Sequence, residues 1–130
     1  MENYNSKYKI FIAHPNEKSV ELYRSKLPDN FQVDSAHDGL LSLRKIKLHK
    51  PHIILSSVDL PTMSGLSLLK FVRSHAELSL RPFIILGHTT EIPLALSLGA
   101  SDFIDYDMPS DQILAKIYHH IRINQAYLNF

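Results

Sequence analysis

Polar side chains that could do chemistry follow four apolar runs of this chain. The runs lie at 9–13, 53–55, 82–86 and 102–106, and the side chains are those of His14, Asp59, His88 and Asp107. Two imidazoles and two carboxylates are ligands that zinc and other transition metals accept. Their spacing matches no local metal-binding motif, however, which favours separate polar residues in loops. We therefore predict no metal site.

Composition and local motifs exclude several further classes of function. The chain has no cysteine, so disulfides and thiolate metal sites are excluded. The segment 13–16 lacks the glycines of a turn that binds dinucleotide or flavin phosphates, and we predict no cofactor. The formal net charge of +1 is too small to indicate nucleic-acid binding.

The hydropathy pattern predicts one globular domain outside the membrane. The 130 residues are 45% hydrophobic and 21% charged, which are ordinary values for a globular protein. The polar start, MENYNSKYK, does not resemble a signal peptide, and no apolar run approaches the roughly 20 residues of a membrane-spanning helix. We expect a cytoplasmic protein with its core at about 8–122 and a helical extension or linker at 123–130.

Apolar runs alternate with amphipathic segments five times. The runs predict strands at 9–13, 31–36, 52–57, 82–86 and 102–106. Helices are predicted at 18–27, at 39–50 after an Asp38 cap, at 64–76, in a short stretch before Gly99, and at 110–130. This alternation implies right-handed crossovers and a doubly wound parallel sheet. In such sheets the functional crevice lies at the carboxyl ends of the strands.

The segment 51–65, PHIILSSVDLPTMSG, carries a family resemblance. A strand that is apolar on both faces is followed by a loop with Pro61 and Met63, and Gly65 then opens a helix. This segment resembles the third strand and following loop of the receiver domains of two-component response regulators. AHDG at 36–39 and LGASDF at 98–103 resemble two further segments of that family. The resemblance covers nearly the whole chain, and it implies a flavodoxin-like α/β fold with a five-stranded parallel sheet, strand order 2-1-3-4-5, and five helices.

The resemblance also implies a degenerate phosphorylation pocket. In the family an aspartate ending the third strand accepts a phosphoryl group, and two acidic residues after the first strand help to bind Mg²⁺. A Thr or Ser ends the fourth strand, and the fifth carries a lysine. The corresponding residues here are Ser57, the pair His14 and Pro15, Gly87, and Tyr106. Phosphoryl transfer depends on positioning and on neutralised charge. With these groups replaced together, we expect neither phosphorylation by the family's mechanism nor enzymatic activity.

Three hypotheses about function follow. The first is a phosphorylation-independent pseudo-receiver that serves as a protein–protein interaction module in bacterial two-component signalling. The second is a phosphoacceptor that uses Asp59, two residues past Ser57, although we expect that carboxylate to point to solvent. The third is the regulatory domain of a larger transcription factor or signalling enzyme.

Partner contacts are predicted at two surfaces. The first is the face of the shortened 89–98 segment, the fifth strand and the last helix, with the aromatic residues Phe103, Tyr118, Tyr127 and Phe130. Phe103 holds the position of the family's switch aromatic, and without a hydroxyl at Gly87 we expect it to be packed core. The second is the end of the second helix, whose basic residues are Arg44, Lys45, Lys47, His49 and Lys50; a solvated face is the simpler interpretation there. We expect a protein partner, with a homodimer as the alternative, and neither nucleic acid nor membrane.

Overall fold

Five parallel strands form one sheet in the order β2-β1-β3-β4-β5. The computed structural model describes the backbone of residues 8–128 and the side chains of residues 8–124. The strands are β1 (Tyr8–Ala13), β2 (Phe31–Ala36), β3 (Ile53–Ser57), β4 (Phe83–Gly87) and β5 (Asp102–Asp105). The strand order and the parallel pairing confirm the fold predicted from the alternation of apolar runs.

Five helices connect and cover the strands. They are α1 (Glu17–Lys26), α2 (Gly39–His49), α3 (Gly65–Ser74), α4 (Ile92–Ser97) and α5 (Ser110–Leu128), with a 3₁₀ turn at Thr89–Glu91 before α4. Helices α1 and α5 contribute to the hydrophobic core on one face of the sheet, and α2, α3 and α4 contribute on the other. All five residues of β3 are buried, as expected for a central strand with helices on both faces. Helix α4 has only six residues, in agreement with the predicted short helix.

The loop between β3 and α3 is fastened to the start of α2. The backbone N–H of Gly39 donates to the carbonyl of Pro61 (2.9 Å), and the N–H of Leu40 donates to Thr62 Oγ1 (3.0 Å). A Cβ at position 39 would lie 1.9 Å from the carbonyl oxygen of Met63, so only glycine fits there. Thr62 has a left-handed backbone (φ 67°), which is unusual for a β-branched residue. Its hydroxyl donates to the N-cap residue of α2, Asp38 (3.1 Å), and so holds the loop in place.

Helix α2 exposes several of its leucines. Leu41 is 38% exposed and Leu48 is 74% exposed, whereas Ser42 and Ile46 are fully buried. Leucines occur on more than one side of this helix, so the sequence does not define a single apolar face. Packing against the sheet buries the side that carries Ile46.

Helix α5 is tied to the first residue of β5. The Asp102 carboxylate accepts hydrogen bonds from Lys116 Nζ (3.1 Å) and pairs with Nε2 of the buried His120 (3.0 Å). These contacts hold the pKa of Asp102 below its usual value although burial opposes the shift. They fix α5 against the edge of the sheet.

The structure describes the side chains of two of the four predicted interface aromatics, Phe103 and Tyr118, and these pack against opposite faces of the sheet. Phe103 packs against the core on the α2, α3 and α4 face, and Tyr118 packs against the core on the α1 and α5 face. The Tyr118 ring lies edge-on to Phe31, with the centroids 5.8 Å apart, and both Phe103 and Tyr118 are half-buried. Neighbouring elements pack onto opposite faces of the sheet, which separates these two rings. The side chain of Tyr127 and the whole of Phe130 lie outside the described residues.

No helix within residues 8–128 has the length and apolar character that crossing a membrane requires.

A histidine between α2 and β3 makes the stability of the fold depend on pH. His52 Nδ1 accepts a hydrogen bond from the backbone N–H of Lys9 (2.9 Å), so this nitrogen is unprotonated in the folded state. Burial, with the positive charges of Arg81 and Lys9, lowers the pKa of His52 from 6.5 to about 4. Because the folded pKa lies below the unfolded value, the stabilisation is complete above about pH 6.5 and is lost as the pH falls toward 4.

We expect the wild-type protein to lose about 1 kcal/mol more unfolding free energy between pH 7 and pH 5 than the His52→Asn variant does, after allowance for solvent screening. Urea denaturation at the two pH values measures this difference. The exposed His119→Asn change is the matched control and should leave the pH dependence of the wild type intact. Equal losses in wild type and His52→Asn would contradict the assignment.

Candidate functional site

Two hydroxyl groups meet across strand β4 at the carboxyl edge of the sheet. Ser57 ends β3, and its side chain is buried. Tyr106 directly follows β5, and its backbone N–H donates to the carbonyl of Gly87 at the end of β4 (3.0 Å). The Tyr106 hydroxyl lies 2.5 Å from Ser57 Oγ. The tyrosine side chain thus spans the width of one strand and closes the edge of the sheet above Gly87.

Asp59 completes a ring of hydrogen bonds with these hydroxyls. Its backbone N–H donates to Ser57 Oγ (3.2 Å), and its Oδ2 accepts from the Tyr106 hydroxyl (3.0 Å). Because the single Tyr106 proton goes to Asp59, the Ser57 hydroxyl donates to the Tyr106 oxygen. Each hydroxyl therefore donates once and accepts at least once, as buried hydroxyl groups require. The Asp59 residue is exposed, as expected, but its carboxylate is bonded to Tyr106 rather than directed only to solvent.

A side chain at the end of β4 would crowd three neighbouring side chains. A Cβ at Gly87 would lie 2.7 Å from Glu91 Oε1, 3.0 Å from Val58 Cγ2 and 3.3 Å from Phe103 Cζ. Glu91 is held there because its Oε1 accepts the backbone N–H of His88 (2.8 Å). Glu91 and Phe103 thus fill the place of the hydroxyl residue that the family resemblance implies at the end of this strand.

His14 and Pro15 supply no charge to the site. His14 follows β1, and its Nδ1 accepts a hydrogen bond from the backbone N–H of Asn16 (3.0 Å). Burial and the neighbouring His37 lower the pKa of His14, so the imidazole is neutral at pH 7. Pro15 is exposed and has no polar side-chain atom. In this neutral tautomer Nε2 of His14 is a hydrogen-bond donor.

A cleft of about 400 Å³ lies between α1 and the ends of β1, β3 and β5. Its lining includes the side chains of His14, Asn16, Tyr23, Ser57, Asp59 and Tyr106. Burial raises the pKa of both tyrosines, so their phenols are neutral at pH 7. Asp59 is the one formally charged residue among the described residues that line the cleft.

The residues of this cleft do not fit Mg²⁺. Magnesium requires hard oxygen ligands and is usually bound through carboxylates. The cleft offers the single carboxylate of Asp59, since His14, Pro15 and Ser57 have none. Within residues 8–124 no three His, Asp or Glu side chains are arranged to hold a metal ion. The four polar residues that follow the apolar runs are therefore not brought together as ligands; His88 instead packs edge-on to Tyr106, with centroids 5.0 Å apart.

Sequence reasoning identified the positions of this site but missed its hydrogen-bond ring and the role of Glu91. The signal for the ring was present, since a tyrosine at position 106 is long enough to reach a serine two strands away. Glu91 gave no signal, because it follows β4 by four residues and is brought back only by the 3₁₀ turn.

Comparison with known proteins shows a family match over most of the chain. The sequence profile of the response regulator receiver domain matches residues 10–118. The transcriptional regulatory protein DltR of Streptococcus agalactiae is 36% identical over 125 residues, and KdpE of Staphylococcus aureus is 30% identical over 123 residues. Each alignment covers 92% of this chain but only 54% of DltR and 52% of KdpE, so the chain spans about half the length of these relatives. A hybrid histidine kinase of Dictyostelium discoideum matches 96% of the chain with 8% of its own length.

Solved structures of low sequence identity share the fold. The chemotaxis response regulator CheY4 of Vibrio cholerae superposes with a TM-score of 0.81 at 20% identity, covering 88% of this chain and 99% of that one. The receiver domain of Francisella response regulator 1452 gives a TM-score of 0.81 at 21% identity, with 91% and 99% coverage.

The hydrogen-bond ring predicts that Tyr106 and Ser57 stabilise the fold jointly. Tyr106→Phe should lower the unfolding free energy by about 1–2 kcal/mol, because it removes one hydroxyl and leaves the buried Ser57 hydroxyl without its strongest partner. A double-mutant cycle with Ser57→Ala should show a coupling energy of about 1 kcal/mol.

Tyr118→Phe is the matched control for this cycle. Within the described residues its hydroxyl makes no hydrogen bond, so its removal should change stability by less than about 0.5 kcal/mol. Additive effects of Tyr106→Phe and Ser57→Ala in chemical denaturation would show that the ring does not exist in solution.

Proposed function

The chain belongs to the response regulator receiver domain family, and we propose that it is a member that works without phosphorylation. In this proposal it is a cytoplasmic protein–protein interaction module of a two-component pathway and has no enzymatic activity of its own. The observation that carries the proposal is the hydrogen-bond ring of Ser57, Tyr106 and Asp59, which occupies the edge of the sheet where a phosphoryl group would be attached.

The charge balance of the cleft supports this proposal. A phosphoryl group adds about two negative charges, and its transfer requires cations that neutralise them. The described lining residues of the cleft include no lysine or arginine, and Asp59 would repel the group. A serine hydroxyl at position 57 also cannot form the acyl phosphate that a carboxylate forms.

The length of the relatives supports a second element of the proposal. DltR and KdpE are transcriptional regulators about twice as long as the matched region. We propose that this chain is the regulatory domain of a larger signalling protein, or a partner of such a protein.

Two groups of exposed residues support a protein partner. Leu94 and Leu96 of α4 and Ile123 of α5 are each a little more than half exposed. These helices adjoin β5, the element that the sequence analysis assigned to the interface. The basic end of α2 is the weaker candidate, because Lys45 pairs with Asp34 (3.4 Å) and Lys50 pairs with Glu77 (3.1 Å).

We expect no covalent phosphate on the protein after incubation with acetyl phosphate and Mg²⁺. Intact-mass spectrometry measures this directly, with a receiver domain that has a complete acidic pocket as positive control. A stoichiometric adduct that disappears in Asp59→Asn would overturn the proposal and establish Asp59 as the acceptor.

The Ser57→Asp variant extends this test to the whole pocket. Its new carboxylate would be buried against the Tyr106 hydroxyl without a cation, so we expect a loss of about 1–3 kcal/mol in stability and no phosphorylation. Stabilisation of this variant by Mg²⁺ in a melting experiment would contradict our view that the pocket cannot bind the ion.

Truncation after Arg122, or the double change Tyr127→Ala and Phe130→Ala, should weaken self-association or partner binding with little change in melting temperature. Sedimentation velocity and pull-down from native cell extract measure the two forms of association. Leu80→Ser is the matched control, because Leu80 is 73% exposed on the connection between α3 and β4. Unfolding of the truncated protein would instead make the tail part of the core.

A further inference from the structure

The cleft beside the Ser57–Tyr106 hydrogen bond combines features of a small-molecule site. Its volume of about 400 Å³ falls in the range of about 300–1,000 Å³ that is usual for ligand pockets. Apolar surface comes from Leu86 and Pro15, and polar atoms come from Asn16, Ser57 and Tyr106. A few convergent polar groups on an apolar wall are the usual composition of such sites.

The charge of the cleft indicates the sign of the charge that a ligand would carry. Asp59 is the formally charged residue among the described ones in its lining, and His14 and the two tyrosines are neutral at pH 7. Asp59 Oδ2 is engaged by the Tyr106 hydroxyl, while Oδ1 accepts no hydrogen bond from the residues that the structure describes. The cleft therefore presents one available carboxylate oxygen and would repel an anion.

The aromatic rings that line the cleft favour an organic cation over a hydrated metal ion. The phenols of Tyr23 and Tyr106 and the imidazole of His14 all contribute to its wall. The ring centroids of His14 and Tyr23 lie 6.5 Å apart, so these two rings form one part of the wall. Ammonium groups are attracted to tyrosine rings, and an organic body gains by burial against them. A hydrated metal ion gains from neither contact and would have one carboxylate as its ligand.

We propose that this cleft binds a small organic cation, an ammonium group on an apolar or aromatic body, with Asp59 as its counter-ion and the tyrosine rings as its wall. The inference goes beyond the proposed function and does not depend on it, since it concerns the chemistry of the cleft in the unmodified protein. A ligand of this kind would contact α1, β3 and the residue after β5 together, and so would act on three elements of the fold.

Three probes of similar shape and different charge test the proposal on the full chain. Benzylammonium, benzyl alcohol and benzoate are titrated into the ¹⁵N-labelled protein at constant ionic strength, and amide shifts are followed. We expect benzylammonium to shift the signals of Asn16, Ser57, Asp59 and Tyr106 with saturation below about 10 mM. Benzyl alcohol should bind at least about tenfold more weakly, and benzoate should not bind.

Asp59→Asn should weaken benzylammonium binding by about tenfold or more, because the amide keeps the acceptor for Tyr106 and removes the charge. Asp107→Asn is the matched control: it removes the same charge from an exposed residue at the same sheet edge that does not line the cleft, and it should change the affinity by less than about twofold. Equal binding of benzoate, unchanged affinity in Asp59→Asn, or no saturable shift up to about 10 mM would each overturn the proposal. None of these results bears on phosphorylation, which intact-mass spectrometry decides separately.

Discussion

The short contact between the hydroxyls of Ser57 and Tyr106 determines what the carboxyl edge of this sheet can do. It joins β3 to the residue after β5 across the intervening β4 through the hydroxyl groups of both side chains. Gly87 ends the strand between the two partners, and its carbonyl accepts the backbone N–H of Tyr106. The Tyr106 hydroxyl also donates to the carboxylate of Asp59, a residue that remains exposed. One hydrogen bond between neutral hydroxyl groups is thus the side-chain link across this edge.

Much of the fold could be predicted from the sequence because its signals are local. Apolar runs such as 53–55 mark buried strands, and Asp38 marks a helix start through its side-chain acceptor, which takes the N–H of Leu41 (2.8 Å). The strand order then follows from the family resemblance. The buried side of α2 could not be predicted, because Leu41 and Leu48 satisfy a helical pattern as well as Ile46 does. Packing against the sheet decides among such residues, and this information is not local.

The site was predictable in its positions but not in its contacts. The family resemblance predicts Ser57, Gly87 and Tyr106 at the positions of the family's functional residues, yet this prediction does not say whether their side chains interact. The ring depends on the relative positions of β3 and β5 and on the direction of the Tyr106 side chain. The relative placement of two predicted interface aromatics was not predictable for a related reason. Phe103 and Tyr118 are fifteen residues apart on adjacent elements, but the alternation of side chains along a strand and the side on which α5 packs put their rings on opposite faces of the sheet.

Two glycines, Gly39 at the start of α2 and Gly65 at the start of α3, let the β3–α3 loop lie against neighbouring backbone, and this limits its motion. A Cβ at Gly39 would meet the carbonyl of Met63, and a Cβ at Gly65 would lie 2.1 Å from the carbonyl of Ser57. The loop is thus in backbone contact with α2 at one end and with β3 at the other, and the N–H of Gly65 donates to the carbonyl of Val58 (2.9 Å). A connection held in this way cannot open by itself, because opening must break contacts of the central strand as well. In hydrogen exchange, the amides of Gly39, Leu40 and Gly65 would therefore belong to the same cooperative unit as the sheet, although they lie in or beside a loop.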